Sequence, residues 1–398
     1  MVFVILSPSF WPRETAEAYC ATRFASALAK AGHVVHVVAK RDEKAMKAAR
    51  YQILLHPEVK ITFVNALDRK SRWPHFNIRW LSLRNDESLG CDAYQQALKT
   101  VLSQYEKPIL ITRTHPLISM YVGWRCRRFA YRWIAHFSDP IPWCVEGALK
   151  RLLIRFWLKR TFRDADMISV TCRRVVRFYR ATVGASVDRI KWVLAEHIGD
   201  FKLDRLWRDD QDVAPTVCKR VLLHQGDMYF RRGIELLPVI EELNSEGCPC
   251  EFIQQGRVMD GGIEAVFRRS PHSHILSKNS PEFLQEKAKC AGVSVVIDFN
   301  SSLDYSPFLM SKFVYQLFGD RPMVVISKKD SAKFDYCNAY PEAGLFFAYM
   351  DDKDSIKGAL RKAFACDVAC IKRDRIRAHF SEDSVARVFL DGVYQILG

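Results

Sequence analysis

Residues 2–38 read VFVILSPSFWPRETAEAYCATRFASALAKAGHVVHVV. Val2 to Leu6 is a short apolar run that Ser7 to Pro12 breaks. From Glu14 to Ala31 the apolar residues Ala16, Cys20, Phe24, Ala27, Leu28 and Ala31 fall on one helical face, and Gly32 stands where a helix stop is expected. Val34 to Val38 then reads as a second buried strand. Parallel strands need a crossover between them, so strand, helix and strand at this spacing form the βαβ unit of a parallel sheet.

The same rhythm runs outward along the chain. Ile109 to Ile111, Trp133 to His136 and Met167 to Val170 read as further strands separated by helices, which makes the first half a doubly wound domain. Phe201 to Lys219 is polar and interrupted by Asp209, Asp210, Asp212 and Pro215, and the domain junction is placed there. Beyond it Val221 to His224, Glu251 to Gln255, Ser294 to Phe299, Met323 to Ser327 and Gly344 to Ala348 read as strands of a second α/β domain. A final amphipathic helix runs from about Ser381 to Leu397. The expected organisation is 1–205, 206–380 and a closing helix 381–398: two doubly wound Rossmann-like domains facing a central cleft, with ligands at the carboxyl ends of the strands. A length of 398 residues, more than one core usually serves, agrees with two domains.

Hydrophobic residues at 49% and charged residues at 26% exclude a wholly disordered or collagen-like chain. The twelve cysteines include Cys248 with Cys250 and Cys366 with Cys370, but no CxxC pair or Cys/His zinc spacing, so free thiols are expected. The chain enters an apolar strand without a basic leader, which predicts a cytoplasmic protein. No run approaches the ~18 apolar residues of a membrane span. A net charge of +15 signals association with phosphates, nucleic acid or anionic lipid. Charge alone suggests RNA binding, but no RNA motif supports it, and no nucleic-acid partner is expected.

At the first βα turn Ser7, Pro8, Phe10, Trp11 and Pro12 replace the glycine-rich fingerprint of a dinucleotide fold, so a Rossmann dehydrogenase is disfavoured. In the second half, Asp304-Tyr305-Ser306-Pro307-Phe308-Leu309-Met310-Ser311-Lys312 leads through a helix to Arg321-Pro322-Met323-Val324-Val325. Ser311 is expected to cap a helix starting near Lys312, so that backbone N–H groups, the helix dipole and an ammonium converge where a diphosphate fits. The competing reading is a capped surface helix with a solvated lysine. Leu222-Leu223-His224-Gln225-Gly226, then Asp227 to Arg231 and Arg232-Gly233, is a second basic turn after a strand.

These segments resemble the family 4 glycosyltransferases. In that family a strand, a Pro-bearing loop, a long helix and Gly-His-x-Val open the chain, the place Gly32, His33 and Val34 take here. The resemblance implies a GT-B fold, a nucleotide diphosphate sugar as donor, transfer with retention and no cofactor. It assigns Gly226, Arg231, Arg232, Tyr305, Ser306, Pro307, Leu309, Ser311 and Lys312 to donor binding, with Lys312 and Arg232 also steadying the departing diphosphate. Two departures stand out: Asp227 occupies the first basic position of the phosphate turn, and Tyr315 replaces the second glutamate of the donor loop.

In the first half, Thr112-Arg113-Thr114-His115-Pro116 and Ile134-Ala135-His136-Phe137-Ser138-Asp139-Pro140 each follow a strand. The second resembles the family's cleft-lining histidine segment, and His136 is read either as a group that orients the sugar or as a satisfied core histidine. Phe10, Trp11, Arg113, His115 and Asp139 are expected on the acceptor side. Val193 to Phe201 resembles the family's exit from the first domain, read as a hinge.

Asp352-x-Asp354 is read as a helix N-terminus rather than a metal motif, and no metal is expected. Arg125, Arg127, Arg128, Arg132, Lys150, Arg151, Arg155, Lys159, Arg160 and Arg163 are interleaved with Trp124, Phe129, Tyr131, Leu152, Leu153, Phe156 and Trp157, a pattern suited to anionic lipid. The expected protein is a peripheral glycosyltransferase acting on a glycan or lipid-linked acceptor. The alternatives are a catalytically silent GT-B subunit and a nucleotide-sugar epimerase.

Overall fold

The computed structural model describes residues 1–13, 15–47, 55–65, 90–114, 117–142, 147–200, 218–228, 232–259, 261–277, 282–299 and 301–398. It divides into two compact units, Met1–Ile198 with Glu382–Gly398, and Gly199–Ser381. The junction expected at 201–219 falls almost wholly outside the described residues.

The first unit is built on seven parallel strands: β1 (Val2–Leu6), β2 (Val34–Lys40), β3 (Lys60–Val64), β4 (Ile109–Arg113), β5 (Arg132–Phe137), β6 (Met167–Val170) and β7 (Lys191–Leu194). Their order is β3-β2-β1-β4-β5-β6-β7, so the winding reverses between β1 and β4. Thr15 caps the helix Ala16–Lys30 by accepting from the Ala18 N–H, and Gly32 at φ +82° closes its exit. That helix buries Phe24, Ala25 and Leu28 on β1, and the last helix, Glu382–Leu397, adds Phe389, Val393 and Ile396 to the same core. Glu382 at the start of the last helix pairs with Arg23 at 2.8 Å.

In the second unit the strands are β8 (Cys218–Gln225), β9 (Glu251–Gln255), β10 (Ser273–Leu276), β11 (Ala291–Ile297), β13 (Met323–Ser327) and β15 (Leu345–Tyr349), and a two-residue pair stands apart, β12 (Tyr305–Ser306) on β14 (Asp330–Ser331). The main order is β10-β9-β8-β11-β13-β15, which reverses between β8 and β11. The middle of β8, Val221 to Leu223, and strands β11 and β13 are apolar on both sides, as helix-covered parallel sheets require. The described cysteines are free thiols.

Candidate active site

An open parallel sheet binds ligands beyond the carboxyl ends of the two strands where its order reverses. In the second unit those strands are β8, which runs into Gly226, and β11, which runs into Asp298. Gly226 has φ +110° and Gly256, after β9, has φ +132°, conformations that side-chain-bearing residues rarely take. The two turns abut: a Cβ on Gly256 would lie 2.7 Å from the Gly226 carbonyl carbon. Gln254 donates to the Gly226 carbonyl at 2.7 Å, which turns its amide oxygen toward His224 Nδ1 at 2.6 Å. His224 therefore carries its proton on Nδ1. Its Nε2 is buried with no hydrogen-bond partner. Burial, then the charges of Lys312 and Arg232, push its pKa well below the usual histidine value.

Lys312 comes to this turn from the helix Ser311–Gln316. A Cβ on Gly226 would sit 2.5 Å from its Nζ, so the absent side chain is what lets the ammonium lie over the turn. The cap differs from expectation: the helix begins at Ser311, and its N-cap is Met310, extended and without a side-chain bond. Ser311 is already inside the first turn and cannot serve as the cap. The other end of this helix is held by Arg373, which is 2% exposed and donates to the carbonyls of Gln316 at 3.1 Å, Gly319 at 2.6 Å and Arg321 at 2.6 Å.

Arg232, expected to grip the donor directly, is 1% exposed. Its guanidinium lies 4.0 Å from the centre of the Phe299 ring and donates to the Asp227 carbonyl at 3.2 Å. Its charge acts from beneath the turn. Tyr305, Ser306, Pro307 and Leu309 are likewise buried within the loop. Arg231 lies outside the described residues. Tyr315 is half-buried on the Lys312 helix.

The loop is anchored by a pair with no sequence signature. Lys333 and Asp298 are both fully buried and meet at 2.7 Å. Lys333 also donates to the Phe308 carbonyl at 2.8 Å, and Ser327 donates to Asp298 at 2.5 Å. Burial alone would raise the Asp298 pKa, but the Lys333 charge and the surrounding hydrogen bonds hold it below the ordinary value. Asp227 is similarly occupied: Arg257 reaches its carboxylate at 2.5 Å.

In the first unit the reversal lies at the ends of β1 and β4. Arg113, at the end of β4, is 1% exposed and donates to Glu17 at 2.7 Å and Ser138 at 2.9 Å. His136, its partner in register on β5, is 2% exposed, with Nδ1 3.0 Å from Ser169 Oγ and its ring stacked on Phe24. Burial, then Arg113 and His197, hold its pKa well below the usual value. This is a neutral, packed imidazole. Phe10 is fully buried in the core, which removes it from an acceptor surface, whereas Trp11 is half-buried against that core. Asp139 is half-buried, and His115 lies outside the described residues. His197, in the exit segment, is buried 3.3 Å from Cys20 Sγ.

Asp352 caps the helix Lys353–Ala365 by accepting from the Ser355 N–H, which accounts for the DxD pattern as a helix start. Among the described residues no group of three or more acidic, His or Cys side chains is placed to hold a metal ion.

Residues 16–194 match the family model of the glycosyl transferase 4-like domain. The first half of the chain therefore carries a glycosyl transferase 4-like domain. Solved structures resemble it over its whole length. A trehalose-6-phosphate protein from E. coli bound with UDP-2-fluoro glucose has 11% identity and a TM-score of 0.61, with 99% of each chain covered. The catalytic domain of starch synthase IV from Arabidopsis thaliana, bound to ADP and acarbose, has 11% identity and a TM-score of 0.60 over 100% of this chain and 99% of that one. HepE from Anabaena in complex with UDP has 11% identity and a TM-score of 0.60, covering 99% and 100%. At this identity the likeness establishes the GT-B fold of the glycosyltransferase, two Rossmann-like units, and not its substrate. No curated protein matches the chain by sequence.

Proposed function

We propose that this glycosyltransferase moves a sugar from a nucleotide diphosphate sugar to a glycan or lipid-linked acceptor, with retention at the anomeric carbon, in surface polysaccharide or glycolipid biosynthesis. The observation that carries the donor site is the Lys312 ammonium lying over the bare Gly226 turn at the strand-order reversal. A fixed cation there stabilises the charge that develops on the departing diphosphate. Arg232 adds to the field from below without touching the ligand. The UDP and ADP bound by structural neighbours support a nucleotide donor. Retention follows from the family resemblance, with the departing diphosphate helping to deprotonate the acceptor.

A membrane-borne acceptor is supported by the helix Ala148–Asp164. It exposes Leu149, Leu152 and Phe156 at 53%, 62% and 49%, beside Lys150, Arg151, Arg155 and Lys159. Apolar side chains in a basic setting suit an anionic lipid surface, where each cation is worth about 1 kcal/mol. No helix among the described residues is long and apolar enough to cross a membrane. The proposed contact is peripheral, on the cytoplasmic face.

A thermal-shift screen of nucleotide sugars identifies the donor. Calorimetry with the corresponding nucleoside diphosphate then tests the site: Lys312→Ala should weaken binding at least about tenfold, and unchanged affinity would remove Lys312 from it.

A further inference from the structure

Asp227 is a carboxylate at the mouth of a turn otherwise furnished with cations. Left alone it would repel a diphosphate. It is not alone. Arg257 Nη2 reaches Asp227 Oδ2 at 2.5 Å, its Nε reaches the same oxygen at 3.2 Å, and the Arg257 backbone N–H donates to Oδ1 at 3.1 Å. The pair is tied to the site by backbone as well. Gly256 packs on Gly226, and the Met228 N–H donates to the Arg257 carbonyl at 2.7 Å. Arg257 thus rises from the turn lying against the one under Lys312. Its side chain is 75% exposed, and the carboxylate engages only one edge of a guanidinium with five N–H groups. Hydrogen bonding to Arg257 and the charges of Arg257 and Lys312 hold the Asp227 pKa below its ordinary value against the effect of burial, so the carboxylate stays ionised and keeps its grip.

We infer that Arg257, aimed by Asp227, is the exposed second cation of the donor turn and binds the diphosphate together with Lys312. The inference rests on the donor reading above. Asp227 then acts as a positioning residue, fixing one edge of the guanidinium so that the other edge is presented to phosphate oxygens. With Lys312, Arg232 and Arg257 against one carboxylate, the turn keeps an excess of two positive charges.

The test is calorimetry on the full chain with UDP, ADP and GDP and their monophosphates, taking the tightest pair as probe. Arg257→Gln should lower diphosphate affinity about tenfold and reduce the preference for diphosphate over monophosphate. Because Arg257 is exposed, its melting temperature should match that of the unaltered protein. The double variant Asp227→Asn with Arg257→Gln separates contact from repulsion: it should remain weak if the guanidinium touches phosphate. Recovery of full affinity in the double variant would make Arg257 a mere counter-ion of Asp227 and overturn the inference. So would unchanged affinity in Arg257→Gln while Lys312→Ala binds poorly. If both Arg257→Gln and Lys312→Ala bind as well as the unaltered protein, the donor reading itself falls and this inference with it.

Discussion

His224 and His136 are buried in different units, yet they share one electrostatic predicament. Each has a pKa pushed well below 6.5, first by burial and then by neighbouring cations. In the unfolded chain the same imidazoles take up protons near the ordinary histidine value. The unfolded state therefore binds more protons as pH falls, and stability is full above about pH 6.5 and declines below it. Melting temperature followed from about pH 7.5 to 5.5 should drop, and the drop should be shallower in His224→Gln. A parallel decline in the two proteins would show that His224 is not a source of the pH dependence. The residue also shows what the sequence conceals. His224-Gln225-Gly226 is legible as a strand end, but the bond from His224 to Gln254, and from there to Gly226, crosses to the next strand. Arg257 is hidden for the same reason: nothing in its own neighbourhood marks it as the partner of Asp227.

The donor loop depends on the Lys333–Asp298 pair. Removing one partner of a fully buried ion pair strands the other charge, so Lys333→Met should cost about 3–5 kcal/mol in chemical denaturation. Lys333→Met combined with Asp298→Asn should recover part of that loss, because no uncompensated charge is left. Equal losses in the single and double variants would refute the pairing. At this scale the interior strands were legible because their runs are almost wholly apolar, as helix-covered strands require. The edge strands β3, β7 and β10 were not, since KITFV, KWVL and SHIL each open on a polar residue. The cap at Ser311 was misplaced by one residue because a serine before a helical run looks like an N-cap, whereas the extended Met310 takes that position. Lys333 and Asp298 stand far apart in the sequence, and only the fold brings them together.

Across the molecule, charge and apolar exposure coincide on the helix Ala148–Asp164. The protein should float with anionic liposomes and release them as salt rises, since exposed charges are screened within about 8 Å at physiological ionic strength. Leu152→Glu with Phe156→Glu should weaken flotation without altering nucleotide affinity, because both side chains are exposed and lie in the other unit from Lys312. Flotation unaffected by these changes would exclude this helix as the contact. The two-unit α/β architecture was readable from alternating strands and helices, but substrate identity was not, because it depends on side chains that only the folded turn assembles. The most direct test is acceptor-dependent release of nucleoside diphosphate from the donor found by screening. The unaltered protein should release it, and Lys312→Ala at least about a hundredfold less; equal release by the two proteins would contradict a donor site built on Lys312.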